Sequence, residues 1–169
     1  MKDNNIRIHN SSSSMGHLVK DFYPLFAVLA VVIGLSILSV YQFLLQPMLA
    51  FMGWFFIVFG SLKVIRLSGF VEAYQMYDVV AKRSKIYAYL YPFLELGFGV
   101  SYLLAWQLTT VSLVVLVVML VGAWGVYLKL KKREEIPCAC LGTVFKVPMT
   151  WVTLGEDLLM AGMAWVILF

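Results

Sequence analysis

The sequence predicts an all-α integral membrane protein with five transmembrane helices, its N-terminus in the cytoplasm and its C-terminus outside. Of the 169 residues, 62% are hydrophobic and only 13% are charged, which is about half the charged fraction of a soluble domain. The apolar residues form long continuous runs, whereas the strands of a transmembrane β-barrel would show alternation. Every Lys and Arg lies next to alternate connections between these runs, as expected for a multi-pass helical protein.

The first long apolar run contains two helices. Residues 1–21 are polar, and we expect them to form a flexible tail. From residue 22 to residue 62 there is no charged residue, 41 positions in a row, although about 20 residues already cross the hydrocarbon core of a bilayer. We place the break at Pro47, because proline lacks a backbone N–H and restricts the residue before it. The two predicted helices cover 22–45 and 48–67.

The remaining apolar regions predict three further helices. One region contains a single charge, Glu95, and divides at a short polar stretch into helices over 86–106 and 109–128. The last region predicts a helix over 147–169, with proline in its first turn, where it is tolerated. All five helices belong to a single transmembrane domain over residues 22–169.

The distribution of basic residues predicts the orientation. The N-terminal tail holds three Lys or Arg residues, the side that joins helices 2 and 3 holds five, and the side that joins helices 4 and 5 holds five. Together these are all 13 in the chain. Since Lys and Arg accumulate on the cytoplasmic side, the tail and these two connections are predicted to be cytoplasmic.

The segment 69–85 is too polar to span a bilayer. Apolar residues recur along it at helical spacing, and polar residues mark another face. The apolar positions are Phe70, Tyr74, Tyr77 and Ala81. This pattern predicts an amphipathic helix on the cytoplasmic surface. Such a helix either covers the surface between two transmembrane helices or serves as a gate or docking surface.

The two cysteines, Cys138 and Cys140, lie one residue apart before the last helix. Cytosolic thiols are kept reduced, so a structural disulfide is not expected there. Two thiolates at this spacing can bind one soft metal ion, such as Cu(I) or zinc, with Met149 as a third soft ligand. The pair can instead act as a redox couple, because a bridge between cysteines so close in sequence is strained and easily reduced. The remaining alternative is two unreactive residues in a turn.

Three carboxylates, Glu95, Glu156 and Asp157, fall inside predicted helices. Ionisable groups at membrane depth are costly and usually face a partner or a cavity. At 1.5 Å per residue, Glu95 and Asp157 both lie roughly 13 Å from the cytoplasmic ends of their helices, so they can face each other. Lys63 either reaches toward this level or extends to the headgroups. The group is either a structural ion cluster or a transport or proton site.

Other functional classes are not supported. The sequence contains no phosphate-binding loop, no H-E-x-x-H motif and no Ser/His/Asp set, so a nucleotide-driven pump or a hydrolase is not expected. The net charge of +4 is small and scattered among apolar runs, which argues against a nucleic-acid partner.

Several short motifs occur together along most of the chain. They are C-A-C-L-G-T-V-F at 138–145, P-M at 148–149 and E-D-L at 156–158, with F-G-S-L-K at 59–63 and Y-P-F-L-E at 91–95 upstream. As a set they resemble the bacterial MauE (methylamine utilisation) membrane family and its DoxX-like relatives. The matches cover about residues 48–169, which makes the last four helices a core and the first helix an N-terminal addition.

The resemblance implies a multi-pass protein of the bacterial inner membrane that assists thiol redox chemistry, as proposed for the methylamine system, where a disulfide-rich periplasmic enzyme is matured. Some similar proteins are joined to a heavy-metal-associated domain. Residues 1–21 of this chain hold no Cys-x-x-Cys, so metal delivery would need a separate donor protein.

Residues and resemblance together predict a protein that handles a soft metal ion through Cys138 and Cys140, as a transporter or a relay accessory. The first alternative is a thiol–disulfide accessory that exchanges electrons with a membrane partner linked to a quinone. The second alternative is a structural membrane subunit. The expected partners are the lipid bilayer and either a metal donor or a thiol-redox protein.

Overall fold

Six α-helices form the secondary structure of a computed structural model that describes residues 12–132 and 151–169. No strand occurs within these two ranges, so the predicted all-α fold is confirmed there. The helices are α1 (Ser12–Phe43), α2 (Pro47–Ile65), α3 (Leu67–Gln75), α4 (Lys85–Leu103), α5 (Leu108–Lys131) and α6 (Trp151–Leu168).

The two predicted helix breaks are confirmed. Pro47 is the first residue of α2, where a missing N–H costs no helical hydrogen bond. Leu44, just after α1, has a positive φ of 51°, which ends the right-handed helix. The break between α4 and α5 is similar, since Ala105 and Gln107 have φ values of 50° and 51°.

The helix boundaries differ from the prediction mainly at α1, which is described from Ser12. The part of the predicted flexible tail from residue 12 to residue 21 is therefore helical, and residues 1–11 lie outside the described residues. Pro24 lies inside α1, where it removes one helical hydrogen bond, but the helix on both sides of it is otherwise free of proline. At the other end of the chain, α6 is described from Trp151. Its predicted first turn at 147–150 lies outside the described residues.

Three helices in the described part of the chain are long and apolar enough to cross a bilayer. They are Tyr23–Phe43 within α1, Pro47–Ile65 (α2) and Leu108–Lys131 (α5). The other two long helices, α4 and α6, have 19 and 18 residues and carry Glu95 and the Glu156–Asp157 pair, respectively. The chain is therefore a helical membrane protein, while five spans and the predicted orientation stay predictions.

The bundle is built from two closely packed helix pairs, α2 with α4 and α5 with α6. A hydrogen bond of 3.0 Å between the buried hydroxyls of Tyr102 and Ser112 connects α4 to α5. Helix α1 packs against α2, where the Trp54 indole N–H donates to the Ser39 hydroxyl at 2.7 Å. The membrane domain is thus a four-helix core with α1 on its α2 side.

The predicted amphipathic helix over 69–85 is shorter in the structure, because α3 ends at Gln75 and turns follow as far as Ser84. Asp78 explains the end of the helix. Its Oδ1 accepts hydrogen bonds from the backbone N–H groups of Val80 at 2.9 Å and Ala81 at 2.7 Å. Such local bonds compete with helical ones. We call residues 67–84 the α3 segment.

The apolar face of the α3 segment is confirmed, but it points into the protein. Phe70, Tyr74, Tyr77 and Ala81 are all buried, and α3 packs against α4. On the other side, α5 approaches the segment closely at Gly125, where a Cβ would lie 2.7 Å from the Tyr77 carbonyl oxygen. The segment therefore closes one end of the bundle.

The close contact of α2 and α4 predicts a position-specific effect of alanine. A Cβ on Gly99 would lie 2.8 Å from the Gly53 carbonyl oxygen and 3.0 Å from the Ile57 nitrogen, and backbone atoms cannot move away cheaply. We expect Gly99→Ala to destabilise the protein by about 1–3 kcal/mol, measured as thermal unfolding in detergent. Gly97→Ala is the matched control, since a Cβ there meets nothing within 4 Å. Equal melting temperatures for the two variants would contradict this packing.

The predicted orientation can be tested by cysteine labelling in a Cys138→Ser/Cys140→Ser background. Thr109 and Arg83 are both exposed, whereas Ser84 caps α4 by accepting a hydrogen bond from the Tyr87 N–H and is best left intact. We expect Thr109→Cys to react with a membrane-impermeant maleimide in intact cells, and Arg83→Cys to react only after the cells are opened. The reverse pattern would invert the topology.

Candidate functional site

A small polar cavity lies where the two helix pairs and the α3 segment meet. Its volume is about 40 Å³, and since one water molecule needs roughly 10–15 Å³, it has room for a few water molecules. The lining residues come from five helices and from the turn after α3. The polar ones are Lys63, Tyr74, Tyr77, Tyr91, Glu95, Thr153, Glu156 and Asp157. This polar cavity is the candidate functional site.

The centre of the polar cavity is an ion pair between α2 and α4. The Nζ of Lys63 lies 2.5 Å from Oε1 of Glu95, and the two residues are only 7% and 3% exposed. Lys63 therefore extends inward to Glu95, one of the two courses that the sequence leaves open, and not out to the headgroups. The ammonium also lies 5.2 Å from the ring centre of Tyr91 and 5.6 Å from that of Phe70, within the range of a cation–π interaction.

Helix α6 brings two further carboxylates to the polar cavity, Glu156 and Asp157, together with Thr153 one turn earlier. The structure thus gathers Lys63 and the three predicted intramembrane carboxylates around one space. For Glu95 and Asp157, the sequence predicts the same depth in the membrane and therefore a possible contact. The main partner of Glu95, however, is the Lys63 ammonium and not the Asp157 carboxylate.

Aromatic rings separate the polar cavity from the surface of the α3 segment. The ring centres of Tyr74 and Tyr91 are 4.7 Å apart, and those of Phe70 and Tyr74 are 5.0 Å apart. The pKa of Tyr74 is raised well above its usual value, mainly by burial and to a smaller extent by the neighbouring Tyr91. The pKa of Tyr77 is also raised well above its usual value, mainly by burial and to a smaller extent by a charge on Asp157. Both phenols therefore stay protonated at physiological pH and keep their O–H as donors.

Two carboxylate oxygens at the polar cavity lack a hydrogen-bond partner among the described residues, Oε2 of Glu95 and Oε1 of Glu156. Most buried polar atoms in proteins have a partner. The polar cavity therefore offers acceptor oxygens to water, to a proton or to another donor.

The family model of methylamine utilisation protein MauE matches residues 41–169 of the chain. This chain belongs to the MauE family. The matched range includes α2 to α6, every residue of the polar cavity, and both cysteines, whereas nearly all of α1 precedes it. Comparisons with curated proteins and with solved structures give no match.

The predicted metal or redox residues of this MauE-family protein, Cys138, Cys140 and Met149, lie outside the described residues, so their roles stay predictions. Within 12–132 and 151–169, no three His, Cys, Asp or Glu side chains converge in a way that can hold a metal ion. The cofactor predictions, a soft metal ion or a quinone, likewise stay predictions.

The sequence analysis missed the aromatic part of the site and Thr153, although spacing gives a signal for each. Tyr91 stands four residues before Glu95, and Thr153 stands four residues before Asp157. Side chains four residues apart lie on the same face of a helix. A search for polar or aromatic residues one turn away from each intramembrane carboxylate would have found both.

The Lys63–Glu95 pair predicts non-additive effects of substitution. Removing one partner of a buried ion pair leaves an uncompensated charge, at a cost of about 3–5 kcal/mol, whereas replacing both by apolar residues is often neutral. We expect Glu95→Met to lower the melting temperature in detergent strongly, and Lys63→Met/Glu95→Met to lower it less than Glu95→Met does. Glu72→Met, at an exposed position of α3, is the control for loss of a carboxylate. Strict additivity of the Lys63 and Glu95 effects would show that the pair does not matter for stability.

Proposed function

We propose that this MauE-family membrane protein is a thiol–disulfide accessory whose Cys138 and Cys140 exchange electrons with a membrane partner protein. The observation that supports this role is the match to the family of methylamine utilisation protein MauE, which spans both cysteines. The sequence analysis, residues and resemblance together, ranks metal handling first. Family membership moves the redox role ahead of it, because the resemblance implies assistance in maturing a disulfide-rich enzyme.

The proposed exchange needs no component besides the two proteins. One thiolate of the pair attacks a disulfide of the partner, which forms a mixed disulfide and releases one partner thiolate. The second cysteine then attacks the mixed disulfide and releases the other partner thiolate. The cysteine pair ends as a disulfide, two electrons have moved to the partner, and the reverse sequence oxidises the partner.

Soft-metal handling is the second candidate, and the Cys-x-Cys motif followed by Met149 is the observation that favours it. Paired thiolates and a thioether suit Cu(I) better than oxygen ligands do. In this role the protein receives the ion from a separate donor and passes it on as a transporter or relay.

Single cysteine variants distinguish the two roles. Removing the second thiol of an exchange pair prevents resolution of the mixed disulfide, so we expect Cys138→Ser or Cys140→Ser to accumulate a covalent complex with the partner. The complex should be visible on non-reducing gels of membranes from cells in which thiols are blocked at lysis. The double variant, which cannot form it, is the control.

Competition of the reduced protein against a calibrated Cu(I) chelator tests the metal role in parallel. Retention of about one Cu(I) ion by the wild type, with severe loss in either cysteine variant and a smaller loss in Met149→Leu, would support metal handling. Absence of any mixed disulfide from both single variants would contradict the redox role.

A further inference from the structure

The polar cavity holds more negative than positive side chains. Among the described residues that line it, Lys63 is the one ammonium, and Glu95, Glu156 and Asp157 supply three carboxylates. We propose that the polar cavity is a proton-binding site, in which Glu156 and Asp157 hold exchangeable protons at neutral pH while the Lys63–Glu95 pair stays ionised. This inference is independent of the cysteines and of the proposed redox role.

The geometry assigns the ammonium to Glu95. The distance of 2.5 Å from Nζ of Lys63 to Oε1 of Glu95 is that of a direct ion pair, and both side chains are more than nine-tenths buried. A charge-assisted hydrogen bond of this kind stabilises the ionised carboxylate. Lys63 therefore neutralises Glu95, and the two carboxylates of α6 must be neutralised in another way.

Two like charges beside a buried, charge-balanced pair are costly, because burial and mutual repulsion both favour the protonated form of a carboxyl group. The other described groups that face the polar cavity do not neutralise this excess negative charge. Among the described residues, those with a titratable side chain are Tyr74 of α3, Tyr77 of the following turn and Tyr91 of α4, while α5 contributes only Met119 and Gly122. The buried Asp78 of the same turn is a further carboxyl group and brings no positive charge. Neutral phenols donate hydrogen bonds but bring no positive charge.

The unpartnered oxygens are a second, independent observation. Oε2 of the buried Glu95 side chain and Oε1 of Glu156 have no hydrogen-bond partner among the described residues. Protonation turns a carboxylate oxygen into a hydroxyl donor. A carboxyl proton on α6 can therefore supply a hydrogen bond to these acceptors through a water molecule, for which the volume of about 40 Å³ has room.

A proton fits this site better than a metal cation does. Although the three carboxylates line one cavity, no three His, Cys, Asp or Glu side chains in the described ranges are arranged to hold a metal ion. The Lys63 ammonium in the same space also repels a second cation. A proton needs only one carboxylate oxygen and no coordination sphere.

Infrared spectroscopy of the full chain in lipid nanodiscs tests the proposal, because a protonated carboxyl group has a C=O stretching band that a carboxylate lacks. The spectra are recorded from acidic to alkaline pH. For the wild type we expect a carboxylic acid band that persists at neutral pH and disappears at alkaline pH. Glu156→Gln and Asp157→Asn should each reduce the neutral-pH band, and the double variant should abolish it.

Two further variants complete the test. Glu72→Gln removes an exposed carboxylate of α3 and should leave the neutral-pH band unchanged. Lys63→Met should enlarge the band by about one carboxyl group, because Glu95 then loses its ammonium and takes up a proton. Circular dichroism of each variant checks that its helices are intact.

The proposal is overturned if the double variant keeps the wild-type band, since the protons then reside elsewhere. It is also overturned if adding NaCl or KCl at constant pH discharges the band, since the site would then bind a metal cation. Loss of the band in Glu72→Gln would overturn it as well.

Discussion

The buried ion pair between Lys63 and Glu95 constrains the rest of this structure. An ammonium inside a membrane bundle is tolerated only next to a compensating charge, so α2 and α4 must bring the two side chains to one point. Their close contact, with Gly53 facing Gly99, fixes the distance between the helices. The α3 segment then adds aromatic rings beside the ammonium. Helix packing and charge pairing thus require each other.

The second helix pair is organised around the same point. Helix α6 places two carboxylates at a cavity that already contains the Lys63–Glu95 ion pair, so three carboxylates share one described ammonium. The family match covers all of these elements, whereas α1 lies almost entirely before it and packs on the α2 side. The polar cavity is therefore a property of the four-helix core and the α3 segment, and no described side chain of α1 lines it.

Most of the fold could be predicted from the sequence because the strongest signals are local. Pro47 begins a new helix regardless of tertiary contacts, and a long run without charge leaves few alternatives in a bilayer. That Glu95 and Asp157 reach one cavity is consistent with the shared depth that the helical rise predicts. The direction of the Lys63 side chain cannot be predicted in this way, because a long flexible side chain can reach either the headgroups or the bundle interior. Tertiary packing decides between them.

The α3 segment shows a second limit of sequence patterns. Its apolar face was predicted correctly, but the same pattern describes a helix on a lipid surface and a helix against protein. The carboxylate of Asp78, bonded to two N–H groups ahead of it, ends the helix early in a way that periodicity does not reveal. The roles of Cys138, Cys140 and Met149 stay predictions, since thiol chemistry depends on geometry outside the described ranges.

The stacked rings of Phe70, Tyr74 and Tyr91 also have a consequence for the membrane itself. A chain of hydrated carboxylates that crossed the bundle would conduct ions and dissipate the electrochemical gradient. Here the acidic groups gather at one level, and tightly packed aromatic surface covers them on the side of the α3 segment. The rings act as an electrical insulator there, so the membrane can contain a cluster of charges without becoming leaky.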